Sequence, residues 1–270
     1  DLAIASDGIF AFSTALPDGA SYDVTVAAQP TSPLQTCTIT GGSGTVSGAD
    51  VTTVEVACET AQFTVSGTLS GLAGDQVVLQ NNGSDDLVVS ADGGFQFSTP
   101  VDDFGTYDVT VATQPSSPSQ TCTVANGAGM INGADVTDVQ VSCQTDTFTV
   151  GGTVSGLEGD QVVLQNNGID DQVITADGGF TFAPLDDGTA YAVTILTQPS
   201  DPSQTCTVTN GSGTLAGADV TDIQVSCQTD TFTVGGTVAG LEGSGLVLQN
   251  NGGDDQVITA DGGFTFAPLD

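Results

Sequence analysis

Thiols, carboxylates and hydroxyls are the side chains left for chemistry in this 270-residue sequence, which carries 6 Cys and 33 Asp plus Glu but no Lys, Arg or His. The cysteines fall in three pairs, Cys37 and Cys58, Cys122 and Cys143, Cys206 and Cys227, each pair 21 positions apart. Six cysteines admit about 15 pairings in the abstract. The constant spacing removes most of that ambiguity, because a self-contained repeat must close its own pair. Two cysteines without a histidine make a poor zinc site, since structural zinc takes four ligands. The expected chemistry is therefore one disulfide per repeat, formed in an oxidising, extracellular setting. Closing such a loop contributes about 3 kcal/mol in the chain-entropy picture.

The carboxylates also recur. Asp85-Asp86, Asp170-Asp171 and Asp254-Asp255 each follow closely on Asn-Asn-Gly, and further doublets stand at Asp102-Asp103 and Asp186-Asp187. Calcium takes oxygen ligands of this kind, which makes the first three doublets candidate sites, although no EF-hand-like run of alternating acids ending in a distal Glu is present. Asp, Asn and Gly are equally the residues of solvated turns. Diffuse cation binding or bridging between chains is a third reading. A glycosidase pair is disfavoured, because Trp is absent and Tyr occurs 3 times, leaving no aromatic sugar platform. Lacking imidazole, ammonium and guanidinium groups, the chain has few of the parts from which general bases, activated nucleophiles and oxyanion clamps are made, so no enzyme is expected. No cofactor is expected beyond calcium. Asn82-Gly-Ser and Asn210-Gly-Ser fit the N-glycosylation pattern, though both sit where Asn-Gly turns are expected anyway. Glycans on the Thr- and Ser-rich outer faces are a further expectation.

These residues are placed by a long internal repeat. Phe-Thr-Val recurs at Phe63, Phe148 and Phe232, and the segments GDQVVLQNNG, ADGGF, QTCTV and GADVTD follow in the same order in the complete copies. Residues 63–147 and 148–231 are complete copies; 1–62 is a copy lacking its first strands, and 232–270 one lacking its last. A unit of this length is domain-sized and can bury its own core, unlike a short solenoid repeat. Two explanations of the incomplete copies stay open: a window on a longer array, or completion of one subunit's broken copy by strands from the next.

Within 148–231, FTVGGTVSGL alternates apolar and small polar residues as a half-buried strand does. Further strands are expected over QVVLQ at 161–165, QVIT at 172–175, FTF at 180–182, AYAVTIL at 190–196, TCTV at 205–208 and DIQVSC at 222–227. Asn167-Gly168, Asp177-Gly178 and Asp187-Gly188 suit tight turns. Phe180 and Phe182 share a face, as do Tyr191, Val193 and Ile195, and these should form the core. About seven short strands with Gly-rich turns predict an all-β protein: tandem Ig-like or transthyretin-like antiparallel β-sandwiches, one disulfide each. The Pro-rich loops 115–120 and 199–204 are expected to end a strand or block edge pairing.

The stretch ADGGFTFAPLDDGTAYAVTILTQP resembles the D-G-x-F-x-F…L-x-x-G-x-Y segment of Cna-B-like and carboxypeptidase-regulatory-like modules, and FTVGGTVSGL is similar to their first strand. That resemblance implies a prealbumin-like sandwich used as a spacer in bacterial surface proteins. The chain departs from it in its Cys pairs and in having no Lys, which rules out the Lys–Asn cross-link many such modules carry.

The formal net charge of −33 excludes nucleic acid and anionic lipid as partners, since both need Lys or Arg. No apolar run is long enough for a membrane helix. Asp1, without a basic and apolar leader, suggests a mature or internal segment. Only Gln228 to Thr231 separate Cys227 from the next repeat, which favours a stiff joint. The expectation is a structural, secreted protein forming a stiff rod, filament or fibril on or shed from a bacterial surface. Its partners would be copies of itself or flanking repeats. The alternative is a ligand- or calcium-binding adhesin array.

Overall fold

The computed structural model describes residues 1–268, and among them β-strands are the only regular elements. By spatial contact the chain divides into two compact units, Asp1–Pro115 with Thr121–Gln144, and Ser116–Gln120 with Thr145–Asp270. The split differs from the repeat boundary in that the proline loop Ser116–Gln120 and residues 145–147 pack with the unit that follows.

The second unit contains the repeat 148–231 as a two-sheet sandwich. One sheet orders Gly178–Thr181, Val150–Ser155, Val220–Thr229 and Gln204–Thr209; the other orders Asp170–Ile174, Val162–Asn166, Ala190–Thr197 and Ser212–Thr214. The seven strands expected from alternation are all present. Ser212–Thr214 and the two-residue strands Thr147–Phe148 and Leu185–Asp186 are additions. Neighbours pair antiparallel, except that the first principal strand, Val150–Ser155, runs parallel to the last, Val220–Thr229. The same arrangement recurs in the first unit, where Val65–Ser70 runs parallel to Val136–Thr145.

Alternation decides which side chains enter the core. Val162, Leu164, Phe180, Phe182, Val193, Ile223 and Val225 are buried between the sheets, while Ala192 and Thr194 face out. Phe180 and Phe182 meet edge to face at 5.8 Å, and Phe95 and Phe97 do so at 6.0 Å, a favoured geometry for aromatic rings. In the end copies the same sequence is less covered. Val234 is 51% exposed where its counterpart Val150 is 0% exposed, because Val150 lies against Val220–Thr229 and residues 232–268 include no counterpart of that strand.

The disulfides lie within a sheet rather than between sheets. Cys37 and Cys58, Cys122 and Cys143, and Cys206 and Cys227 are joined, each with Cα atoms 3.9 Å apart. Cys206 stands directly opposite Cys227 on antiparallel strands, as Cys37 does opposite Cys58. Each bond therefore fastens the edge strand of its sheet to the strand on which the repeat ends.

Candidate functional site

The most structured polar sites are the joints at which one repeat meets the next, and two of them are each centred on a buried carboxylate, Asp103 or Asp187. In the second unit, Leu185–Asp186 pairs with Thr147–Phe148, which brings the following residue, Asp187, against the proline loop. One carboxylate oxygen of Asp187 accepts the Gly217 N–H at 2.8 Å from its own repeat, and the other accepts the Ser119 N–H at 2.6 Å from the loop of the preceding repeat. Its own N–H donates to the Asp146 carbonyl at 2.9 Å. The first unit repeats the construction: Asp103 accepts from Gly133 at 2.8 Å and from Leu34 at 2.7 Å, and donates to the Ala61 carbonyl at 2.8 Å.

Asp103 and Asp187 are only 5% and 7% exposed. A buried carboxylate is tolerated because N–H groups surround it. The Leu34 N–H holds Asp103 below the usual carboxylate range, with the Gly133 and Phe104 N–H groups adding to it against burial, which pushes the other way. For Asp187 the Ser119 N–H acts first, then those of Gly217 and Gly188, again against burial. The turn after each acid requires positive φ, supplied by Gly188 at 81° and, in the other copy, by Phe104 at 62°.

A second contact backs each joint in one of two chemistries. Asp146 N–H donates to the Ser119 carbonyl at 3.0 Å, and Ser119 Oγ donates to the Asp146 carboxylate. Ser203 and Asp230 repeat this, and the Ser203 Oγ bond at 2.6 Å, with a further one from Thr205 Oγ1 at 2.8 Å, holds Asp230 below the usual carboxylate range. In the first copy the two positions are Leu34 and Ala61, which keep only the backbone bond at 2.8 Å. The hydroxyl and the carboxylate are thus present together or absent together.

Behind the loop lies a buried amide. Gln204, 2% exposed, accepts the Glu158 and Gly159 N–H groups at 2.9 and 2.8 Å and donates to the Gly156 carbonyl and Thr229 Oγ1 at 2.9 and 3.2 Å. Gln198 covers the free edge of the disulfide strand, accepting the Cys206 N–H at 2.8 Å and donating to the Cys206 carbonyl at 3.0 Å. Gln29 and Gln114 do the same for Cys37 and Cys122. Edge blocking is thus done by glutamine at these points, while each proline loop lies between the end of one strand and the start of the next, and Ser116–Gln120 supplies the joint.

The doublets Asp85-Asp86, Asp170-Asp171 and Asp254-Asp255 lie apart from the joints, at which Asp102-Asp103 and Asp186-Asp187 stand. Asp86, Asp171 and Asp255 each accept from a cross-strand glutamine, at 2.5, 2.6 and 2.6 Å. Asp85, Asp170 and Asp254 accept instead from the Thr99, Ala183 and Ala267 N–H groups, at 3.0, 3.2 and 3.2 Å. Adjacent residues on a strand point to opposite faces, so the two acids of a doublet do not converge. Among the described residues no group of three or more His, Cys, Asp or Glu side chains is placed to hold a metal ion. Asn82 and Asn210 occupy positive-φ turns, with φ of 50° and 59°, and donate to the Thr106 and Asp222 carbonyls at 2.9 and 3.3 Å. Asp103 and Asp187 are grouped with the acidic turns by sequence alone. Their burial has a faint signal there, in that each directly follows another Asp at the end of the stretch after the Phe-x-Phe strand.

Fold and joints together define a class: an all-β tandem-repeat protein built of disulfide-stapled sandwich modules. No protein-family model matches the chain, and no curated protein matches it. Among solved structures it is similar to the Bacillus anthracis TIE protein, at 11% identity over 80% of this chain and 46% of that one, with a TM-score of 0.48. It is also similar to the pilus adhesin SpaC of Lactobacillus rhamnosus GG, at 12% identity over 65% and 32% of the two chains and a TM-score of 0.26. A third is the major pilin of Streptococcus pyogenes, at 14% identity over 64% and 98%, with a TM-score of 0.23. The chain thus spans about half or less of the length of the first two. Among the described residues no helix is long and apolar enough to cross a membrane.

Proposed function

We propose that this chain is a structural, non-catalytic part of an extracellular protein, in which tandem modules make a stiff rod or filament on, or shed from, a bacterial surface. The observation that carries this reading is the recurrence of the joint: Asp103 and Asp187 each take one N–H from their own repeat and one from the repeat before. A flexible linker makes no such contacts, and two buried, fully directed hydrogen bonds per carboxylate restrain bending more than chain connectivity does. One disulfide per repeat supports an oxidising, extracellular location. Self-association into fibres, or continuation into flanking repeats of the same kind, fits a unit that adds length by duplication.

The test is cryo-electron microscopy of the native material. Straight chains of modules with one repeating joint angle are the expected result. Freely bending chains would overturn the rod, and helical packing of many chains would establish the filament over the single stalk.

A further inference from the structure

We infer that each complete repeat is a load-bearing unit, built to resist stretching between its two ends by shear of its first strand against its last. The inference stands on the topology inside one repeat and holds whether or not the chains assemble into fibres. Val150–Ser155 and Val220–Thr229 are adjacent and parallel, with Val150 opposite Val220 and, after one bulge, a continuous pairing from Gly152 opposite Ile223 to Ser155 opposite Ser226. Val65–Ser70 and Val136–Thr145 match them, with Val65 opposite Val136 and, after the same bulge, Gly67 opposite Val139 through Ser70 opposite Ser142. Because the strands are parallel, the chain enters at one end of the pair and leaves at the other. Tension on the two ends pulls the strands along their own length in opposite senses, so the cross-strand bonds carry the load together. An antiparallel terminal pair would present both ends on the same side and open one bond at a time.

The contact is reinforced along its length. At its start the Thr149 N–H donates to the Asp219 carboxylate at 2.7 Å and the Val220 N–H to the Thr149 carbonyl at 2.9 Å, as Thr64, Asp135 and Val136 do at the same distances. Ser66 Oγ donates to the Val136 carbonyl at 2.9 Å. The strands approach so closely that a Cβ on Gly152 would stand 1.9 Å from the Ile223 carbonyl oxygen, and one on Gly67 2.0 Å from that of Val139. Only glycine fits there. The disulfide then limits what is drawn out once the two strands have parted: Cys227 lies just beyond the last parallel pair and is tied to Cys206, 21 positions earlier, so in the opened repeat tension crosses the bond and the chain between them does not extend.

The experiment is to stretch the full 270-residue chain from its two ends by single-molecule force spectroscopy, oxidised and reduced. The expected record has two discrete force peaks, one for each complete repeat. Each extension step should lengthen by about 70 Å on reduction, since the 21 positions shielded by a disulfide then extend at roughly 3.3–3.6 Å per residue. Gly67→Ala with Gly152→Ala should lower both peaks. If that variant fails to fold, Asp135→Ala with Asp219→Ala, which removes only the carboxylate at the start of each contact, should lower them instead. Extension without discrete peaks overturns the inference, and so does an unchanged peak force in a folded variant of either kind.

Discussion

At the scale of single residues, the two carboxylates at the joints and the three disulfides do work that the other side chains do not duplicate. Asp103 and Asp187 have pKa values lowered in the folded chain, so the stability they contribute is present above the ordinary carboxylate value of 3.8 and is lost as pH falls through the lower folded value. Scanning calorimetry from neutral to acid pH should therefore show a drop in Tm concentrated below pH 3.8. In Asp103→Asn with Asp187→Asn that drop should be smaller, from a lower starting Tm at neutral pH. An equally steep acid limb in the variant would place the acid sensitivity elsewhere. Replacing Cys206 and Cys227 by Ser releases the loop between the last two principal strands and should cost the 148–231 repeat about 3 kcal/mol. For a domain of this size that corresponds to a fall in Tm of roughly 12–24 °C, at about 4–8 °C per kcal/mol. A variant melting with the wild type would mean that the sheet alone holds these strands.

At the scale of elements, the strands of the sandwich are legible in the sequence and their partners are not. Alternation marks Phe180, Phe182, Tyr191, Val193 and Ile195 as inward; the first four are buried and Ile195 is half-buried against the same core, because a half-buried strand leaves a period of two whatever it pairs with. The parallel pairing of the first and last strands leaves no such mark, since it depends on which edge the chain returns to after some 70 residues of intervening fold. Asp187 shows the limit most plainly. Asp187-Gly188 has the composition of an exposed turn, and only the arrival of Ser119 from the preceding repeat makes it a buried acceptor. The edge glutamines were hidden for the same reason, as Gln198 closes on Cys206 across a loop. Gln198→Ala should free the Cys206 N–H and carbonyl at the sheet edge, and light scattering should then show more concentration-dependent association than the parent gives under the same conditions. Leu164→Ala, in contrast, removes a fully buried side chain between the sheets and should cost about 2–5 kcal/mol without promoting association.

At the scale of the whole molecule, the 33 acids repel one another with no Lys, Arg or His side chain to offset them. The fold tolerates this because the acids are dispersed along the repeats, and the charge on several is stabilised locally by N–H groups rather than by cations. Repulsion that remains acts through solvent and is screened over about 10 Å at 0.1 M salt. Raising sodium chloride from low to moderate concentration should therefore raise the Tm and then level off, opposite to the trend of a protein held by surface ion pairs. The same titration tests the acidic doublets. Screening depends on ionic strength, so calcium and magnesium compared at equal ionic strength should give the same curve if Asp85-Asp86, Asp170-Asp171 and Asp254-Asp255 act as ordinary strand and turn residues. Their carboxylates already accept from glutamine and backbone donors on diverging faces, and equal curves are the expected result. A Tm that rises with micromolar calcium and not with magnesium would instead require loops that rearrange to bring those oxygens together.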